Sequence, residues 1–99
     1  MSLAITFDEQ AVRGLAQKYR AKTLSVFGSV LTDRFREDSD IDMMVEFLPE
    51  ASPTFIELMQ LQAELSDLLG RKVDLRTPNE LSQHFRDEVI KHAVVQYAA

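Results

Sequence analysis

Two aspartates one residue apart, Asp40 and Asp42, introduce the apolar run Ile41 to Phe47. In an extended chain the side chains at i and i+2 point the same way, with their backbones roughly 6.5 to 7 Å apart. Asp40, at the mouth of the strand, and Asp42 therefore share one face and repel each other unless something offsets their charge. Upstream stands Gly28-Ser29, directly after another apolar run. Glycine lets a backbone approach phosphate oxygens with no Cβ in the way, and the Ser29 hydroxyl adds a donor. The ten residues from Val30 to Ser39 are enough to cross a short turn of helix and return beside the first run. Downstream, Asp74 lies within a third β-type stretch and supplies a third carboxylate if that stretch lies next to Asp42.

Oxygen donors of this kind suit Mg²⁺ or Mn²⁺. The chain has no cysteine and two histidines, His84 and His92, whose separation is not the i, i+4 spacing of a helical metal pair, so a zinc site is disfavoured. A triphosphate held by Gly28-Ser29 beside a metal-loaded aspartate pair sets up in-line displacement at phosphorus, with metal ions clamping the attacking and leaving oxygens roughly 3.5 to 4 Å apart. The reaction class is nucleotidyl transfer. Each part alone has a plainer reading: Asp40 and Asp42 as solvated strand-end acids, Gly28-Ser29 as a turn, Asp74 as the partner of Arg71 or Arg76. The combination favours the metal site.

The elements that must position these groups are legible from periodicity and caps. Thr6 and Glu9 have the capping-box form, and Val12, Leu15, Ala16 and Tyr19 follow at helical spacing, which predicts a helix from about Asp8 to Arg20. Thr23 to Phe27 is a short strand stopped by Gly28. Val30 to Glu37 is a polar link, and Ile41 to Phe47 a second strand. Ser52-Pro53 reads as a cap and first helical residue. Phe55, Leu58, Gln62, Leu65 and Leu69 then form an apolar stripe with one polar gap, ending at Gly70. Lys72 to Arg76 is a third strand. Thr77-Pro78-Asn79-Glu80 opens a terminal helical region that runs to about Tyr97, with a break near His84. Met43, Met44 and Met59 fill core gaps or a contact surface, and Tyr19 and Tyr97 anchor helix faces. The order α-β-β-α-β-α indicates an α+β fold, a small mixed β-sheet flanked by helices, in one domain spanning 1–99.

Composition sets limits on the function. The net charge of −5 argues against strong binding to bare nucleic acid, which depends on lysine and arginine displacing counterions. The basic residues that exist, Arg34 and Arg36, then Arg71, Lys72 and Arg76, are scattered or in short groups. With no cysteine, no signal-peptide pattern and no membrane-length apolar run, a cytoplasmic protein with no membrane partner is expected.

Gly28-Ser29, then Ser39-Asp40-Ile41-Asp42, then Lys72-Val73-Asp74-Leu75 together resemble the minimal nucleotidyltransferases of the DNA polymerase β superfamily, in particular the short MNT antitoxins paired with HEPN-domain toxins. The resemblance covers most of the chain. It implies a polymerase β-like nucleotidyltransferase fold, with Asp40 and Asp42 holding Mg²⁺. It also implies that Asp74 completes the metal site and helps activate the acceptor hydroxyl, and that Gly28 and Ser29 hold the triphosphate. The implied activity is AMP transfer from ATP to a tyrosine of the HEPN toxin, in a hetero-oligomer with that toxin. One departure stands out. Many relatives continue after the glycine-serine with a small residue, an arginine and a glycine, where this chain has Leu31-Thr32-Asp33. The alternative is therefore a catalytically weak or inactive antitoxin that neutralises its partner by binding alone. A transferase for a small molecule such as an aminoglycoside is disfavoured, because 99 residues leave little chain for a substrate-binding domain.

Overall fold

The structure, a computed structural model, describes residues 8–28, 39–81 and 83–99 and, within these, not the side chain of His84. Ser29, the link from Val30 to Glu37 and the Thr6 cap lie outside the described residues. Helix α1 (Glu9–Lys18) begins at Asp8, whose carboxylate accepts from the backbone N–H of Gln10 at 3.1 Å and Ala11 at 3.2 Å. The N-cap is thus Asp8 rather than Thr6. An ionised acceptor at the positive end of the helix is as strong a cap as a hydroxyl, and it sits closer to the first apolar turn. Val12 and Ala16 are the buried face of α1.

Strand β1 (Ala21–Phe27) starts two residues earlier than the β-rich run suggests and pairs antiparallel with β2 (Ile41–Phe47). Helix α2 (Phe55–Leu69) is capped by Thr54 and not by Ser52, because the Thr54 hydroxyl accepts from Glu57 N–H at 3.1 Å. Gly70 closes the helix in the left-handed region with φ 67°, as its position after the apolar stripe predicts. The buried stripe is Leu58, Leu61 and Leu65, whereas Phe55 is 73% exposed. Strand β3 (Val73–Arg76) runs parallel to β2.

The terminal region departs most from expectation. A single 3₁₀ turn, Pro78–Glu80, carries the Thr77/Glu80 capping box and stops at Leu81, whose backbone is extended. Helix α3 (Gln83–His92) follows, and then the chain turns back as strand β4 (Val94–Ala98), antiparallel to β1. The helix expected to reach Tyr97 therefore ends at His92. Val94 and Val95 are β-branched, and pairing with β1 gives their backbone groups partners that a frayed helix end lacks. Tyr97 accordingly packs from a strand against the main core.

The sheet order is β3-β2-β1-β4, a mixed sheet flanked by helices as expected. Leu24 and Val26 of β1, Ile41, Met43 and Val45 of β2, and Val73 and Leu75 of β3 form one face and bury against α1 and α2. The opposite parity of β1 and β2 gives Phe27 and Met44, which with Leu81 and Val89 make a second, smaller core under α3. Among the described residues no helix is long and apolar enough to cross a membrane.

The polar gap in the α2 stripe has a structural purpose. Gln62 Oε1 accepts from Leu75 N–H at 2.9 Å, and Ser66 Oγ accepts from Val73 N–H at 2.9 Å while donating to Gln62 O at 2.8 Å. These are the outward-facing amides of an edge strand, the groups that otherwise invite another chain to pair. Helix α2 thus covers the free edge of β3 and fixes the strand that carries Asp74.

Candidate active site

Alternation along β2 puts Ile41, Met43 and Val45 into the core and leaves Asp42 on the opposite face, with Asp40 one residue before the strand on the same parity. The start of β2 is held beside β3 by Ile41 N–H donating to Lys72 O at 2.9 Å. In the parallel register Asp42 is the direct partner of Asp74. Register partners in neighbouring strands share a face, so the third carboxylate arrives next to the second. In the antiparallel register Asp42 pairs with Phe27, which brings Gly28 alongside.

Gly28 has to be a glycine for two independent reasons. Its φ is +78°, a region that L side chains rarely adopt. A Cβ built on it would also overlap Asp42 Oδ2 and stand 3.3 Å from Asp42 Cγ. The space that a side chain would fill is taken by the carboxylate itself, so the end of β1 and the Asp42 carboxylate form one compact feature. Ser29 lies outside the described residues.

The electrostatics of the three acids are uneven. Burial pushes the Asp42 carboxyl above the usual carboxylate range, Asp74 and then Asp40 push it further, and Arg76 partly opposes them. Asp74 Oδ2 lies 3.2 Å from Arg76 Nη2, and Asp40 Oδ2 lies 3.9 Å from Lys72 Nζ. The outer two acids thus lean toward basic neighbours, while Asp42 faces both of them with little compensation. Among the described residues no three carboxylate or imidazole groups are gathered tightly enough, as the side chains stand, to hold a metal ion. The backbone brings the three aspartates to one place, and the rotamers of Asp40 and Asp74 point to Lys72 and Arg76.

This donor set fits a hard divalent cation. All three groups are carboxylates, they come from the adjacent strand ends of one sheet face, and the central one carries charge that a cation would relieve. The i, i+2 spacing made Asp40 and Asp42 findable in the sequence. Arg76, the ion-pair partner of Asp74, is one of two candidates that the sequence offers. The i, i+2 spacing within β3 is the signal that selects it over Arg71.

Comparison with known proteins bears on the fold and the family. A family model described as polymerase beta, nucleotidyltransferase, matches residues 9–98. A Methanocaldococcus jannaschii protein provisionally named a protein adenylyltransferase is 35% identical over 81 residues, 82% of this chain and 81% of that protein. A solved structure provisionally named a minimal nucleotidyltransferase superposes with a TM-score of 0.73 at 34% identity, covering 87% of this chain and 86% of that one. A chain from the complex of a tri-AMPylated Shewanella oneidensis HEPN toxin with an MNT antitoxin shares the fold, with a TM-score of 0.65 at 22% identity, covering 92% of this chain and 70% of that one. With nearly its whole length matched, the chain belongs to the polymerase beta nucleotidyltransferase family.

Proposed function

We propose that this protein is an Mg²⁺-dependent protein adenylyltransferase that transfers AMP from ATP to a HEPN-domain toxin and serves as the antitoxin of that pair. The observation that carries the reading is the register that sets Asp42 beside Asp74 and against Gly28. The names of the related proteins, a protein adenylyltransferase and an MNT antitoxin bound to an AMPylated HEPN toxin, supply the substrate and partner. An ATP-consuming reaction in a chain without cysteine suits the cytoplasm.

In this reading Asp40, Asp42 and Asp74 hold Mg²⁺, and Gly28 with Ser29 cradles the triphosphate. The bound metal supplies neutralisation of the phosphate charge that builds up in the transition state. Asp42 anchors the arrangement because Gly28 on one side and the β3 register on the other leave its carboxylate little freedom. Asp74, at the outer strand, accepts the proton of the incoming hydroxyl. The acceptor oxygen bonds to the α-phosphorus, the α–β bridging bond breaks, and pyrophosphate leaves with the bonding pair. Arg76 holds Asp74 before substrate arrives. The net charge of −5 suits a protein acceptor better than a nucleic acid.

A second reading has its own support. The pairing of Asp40 with Lys72 and of Asp74 with Arg76 favours a protein that neutralises by contact and transfers nothing. One experiment separates the two. The HEPN partner is incubated with ATP, Mg²⁺ and either wild type or Asp42→Asn, then weighed by mass spectrometry and assayed for toxicity. Mass gains of one or more AMP units with wild type and none with the variant support the transferase. Full neutralisation by both with no mass gain supports binding alone and overturns the catalytic proposal.

A further inference from the structure

A cavity of about 230 Å³ opens beside Gly28 and Asp42, on the sheet face that carries the carboxylates. Phe27 of β1 lines it from below, and α3 contributes Phe85, Val89 and His92 as the facing wall. Val89 is buried against Phe27 in the smaller core, while Phe85 remains 52% exposed. At the rim Glu88 Oε2 lies 3.5 Å from His92 Nε2. Among the described residues the walls are mainly apolar and aromatic, and the polar groups are this pair and the Asp42 carboxylate.

Position along the sheet decides what the cavity suits. In the order β3-β2-β1-β4 it lies on the β1 side of Asp42, and no residue of β3 lines it. The acceptor hydroxyl must reach Asp74, which occupies the other flank. A nucleotide whose phosphates rest at Gly28 and Asp42 carries its base one sugar away, on the flank that the acceptor leaves open. Pockets for whole drug-sized ligands are larger, roughly 300 to 1,000 Å³, so a cavity of this size suits one part of a nucleotide. An aromatic wall facing an apolar floor is the surface on which a flat heterocycle stacks.

We propose that this cavity seats the nucleobase of the substrate, stacked on the ring of Phe85 over the floor made by Phe27, and that Phe85 is a positioning residue for nucleotidyl transfer. The proposal rests on the transferase reading above. Seating the base there fixes the ribose and with it the α-phosphate against Asp42. Loss of the ring then weakens nucleotide capture and leaves the carboxylate chemistry unaltered.

The test measures binding of AMP-PNP and of inorganic tripolyphosphate to the full chain in Mg²⁺ by calorimetry, for wild type, Phe85→Ala and Phe85→Tyr. Circular dichroism confirms that the variants fold, as the exposure of Phe85 leads one to expect. Phe85→Ala should weaken AMP-PNP about 10-fold, leave tripolyphosphate unchanged, and be rescued by Phe85→Tyr. In turnover with the partner protein, the loss should fall on KM for ATP, with kcat and KM for the partner held. Equal AMP-PNP affinity in wild type and Phe85→Ala, with both ligands bound by wild type, overturns this inference and leaves the transferase reading standing. A loss shared equally by both ligands, or one that falls on KM for the partner, also overturns it. A wild-type chain that binds neither ligand overturns the transferase reading and this inference together.

Discussion

Asp42 should make the metal-free protein less stable than it would be without that charge. Its strand neighbour Asp74 has its Cα about 4.8 Å away, and Asp40 lies two residues back at roughly 6.5 to 7 Å. Two like charges at about 6 Å repel by about 0.7 kcal/mol in water and about 2.8 kcal/mol at an effective dielectric of 20. Asp42 is only half-buried, and Arg76 and Lys72 stand opposite its neighbours, so the watery end of that range applies. The net penalty is about 1 kcal/mol. For a domain of this size about 1 kcal/mol moves the melting temperature by about 4 to 8 °C. Asp42→Asn should therefore melt several degrees above wild type in EDTA near pH 7 while losing AMP transfer.

The pH dependence follows from the same cause. The folded pKa is raised, so the contribution of Asp42 is most favourable below the unfolded value of about 3.9 and is lost as pH rises through the folded value. The gap between variant and wild type should open as pH climbs from about 4 and then level off. Saturating Mg²⁺ should narrow or reverse it, because only wild type gains the full binding free energy of the ion. Differential scanning calorimetry across pH, with and without Mg²⁺, reads all of this. A variant that melts with or below wild type in EDTA at neutral pH would refute the claim that Asp42 carries uncompensated charge.

Gly28→Ala should cost roughly 1 to 3 kcal/mol and abolish transfer, since it strains a positive φ and displaces the Asp42 carboxylate; Gly14→Ala, in open space within α1, should gain about 0.5 to 1 kcal/mol. Denaturant titration of the two variants should show opposite shifts in midpoint. Gln62→Ala removes the acceptor of Leu75 N–H and should cost about 1 to 3 kcal/mol, with faster amide exchange at Leu75 and slower transfer as the strand bearing Asp74 loosens. Glu64 is bonded to the Tyr19 hydroxyl and to Lys18 Nζ, and these two hold its carboxyl below the usual range. Its stabilisation is present above the unfolded pKa and is lost as pH falls through the folded one, so Glu64→Gln should flatten the acid limb of the melting curve between about pH 3 and 5. The Lys18–Glu64 pair is open to solvent, so the effect should be small and should shrink further in salt.

Local patterns were legible where short-range chemistry decides them. The β2 alternation, the αL stop at Gly70 and the capping box at Thr77 and Glu80 each depend on a few neighbouring residues. The caps at Asp8 and Thr54 were displaced by two residues each, because several hydroxyl and carboxylate groups in a row can serve and only the direction of the following helix chooses among them. The strand Val94–Ala98 is not legible locally, because a segment of valines after a helix carries no mark of the distant strand β1 with which it pairs.

By itself the sequence determined that three carboxylates and a glycine-serine would be offered from β-type segments, because parity along a strand is a property of consecutive residues. It did not determine that β3 lies parallel beside β2 with Asp74 opposite Asp42, that Gln62 and Ser66 hold β3 in place, or that α3 leaves a cavity next to Gly28. Those are choices of strand order and helix placement. They are set by how the whole chain buries its apolar faces and satisfies its edge amides, and no stretch of residues taken alone encodes them.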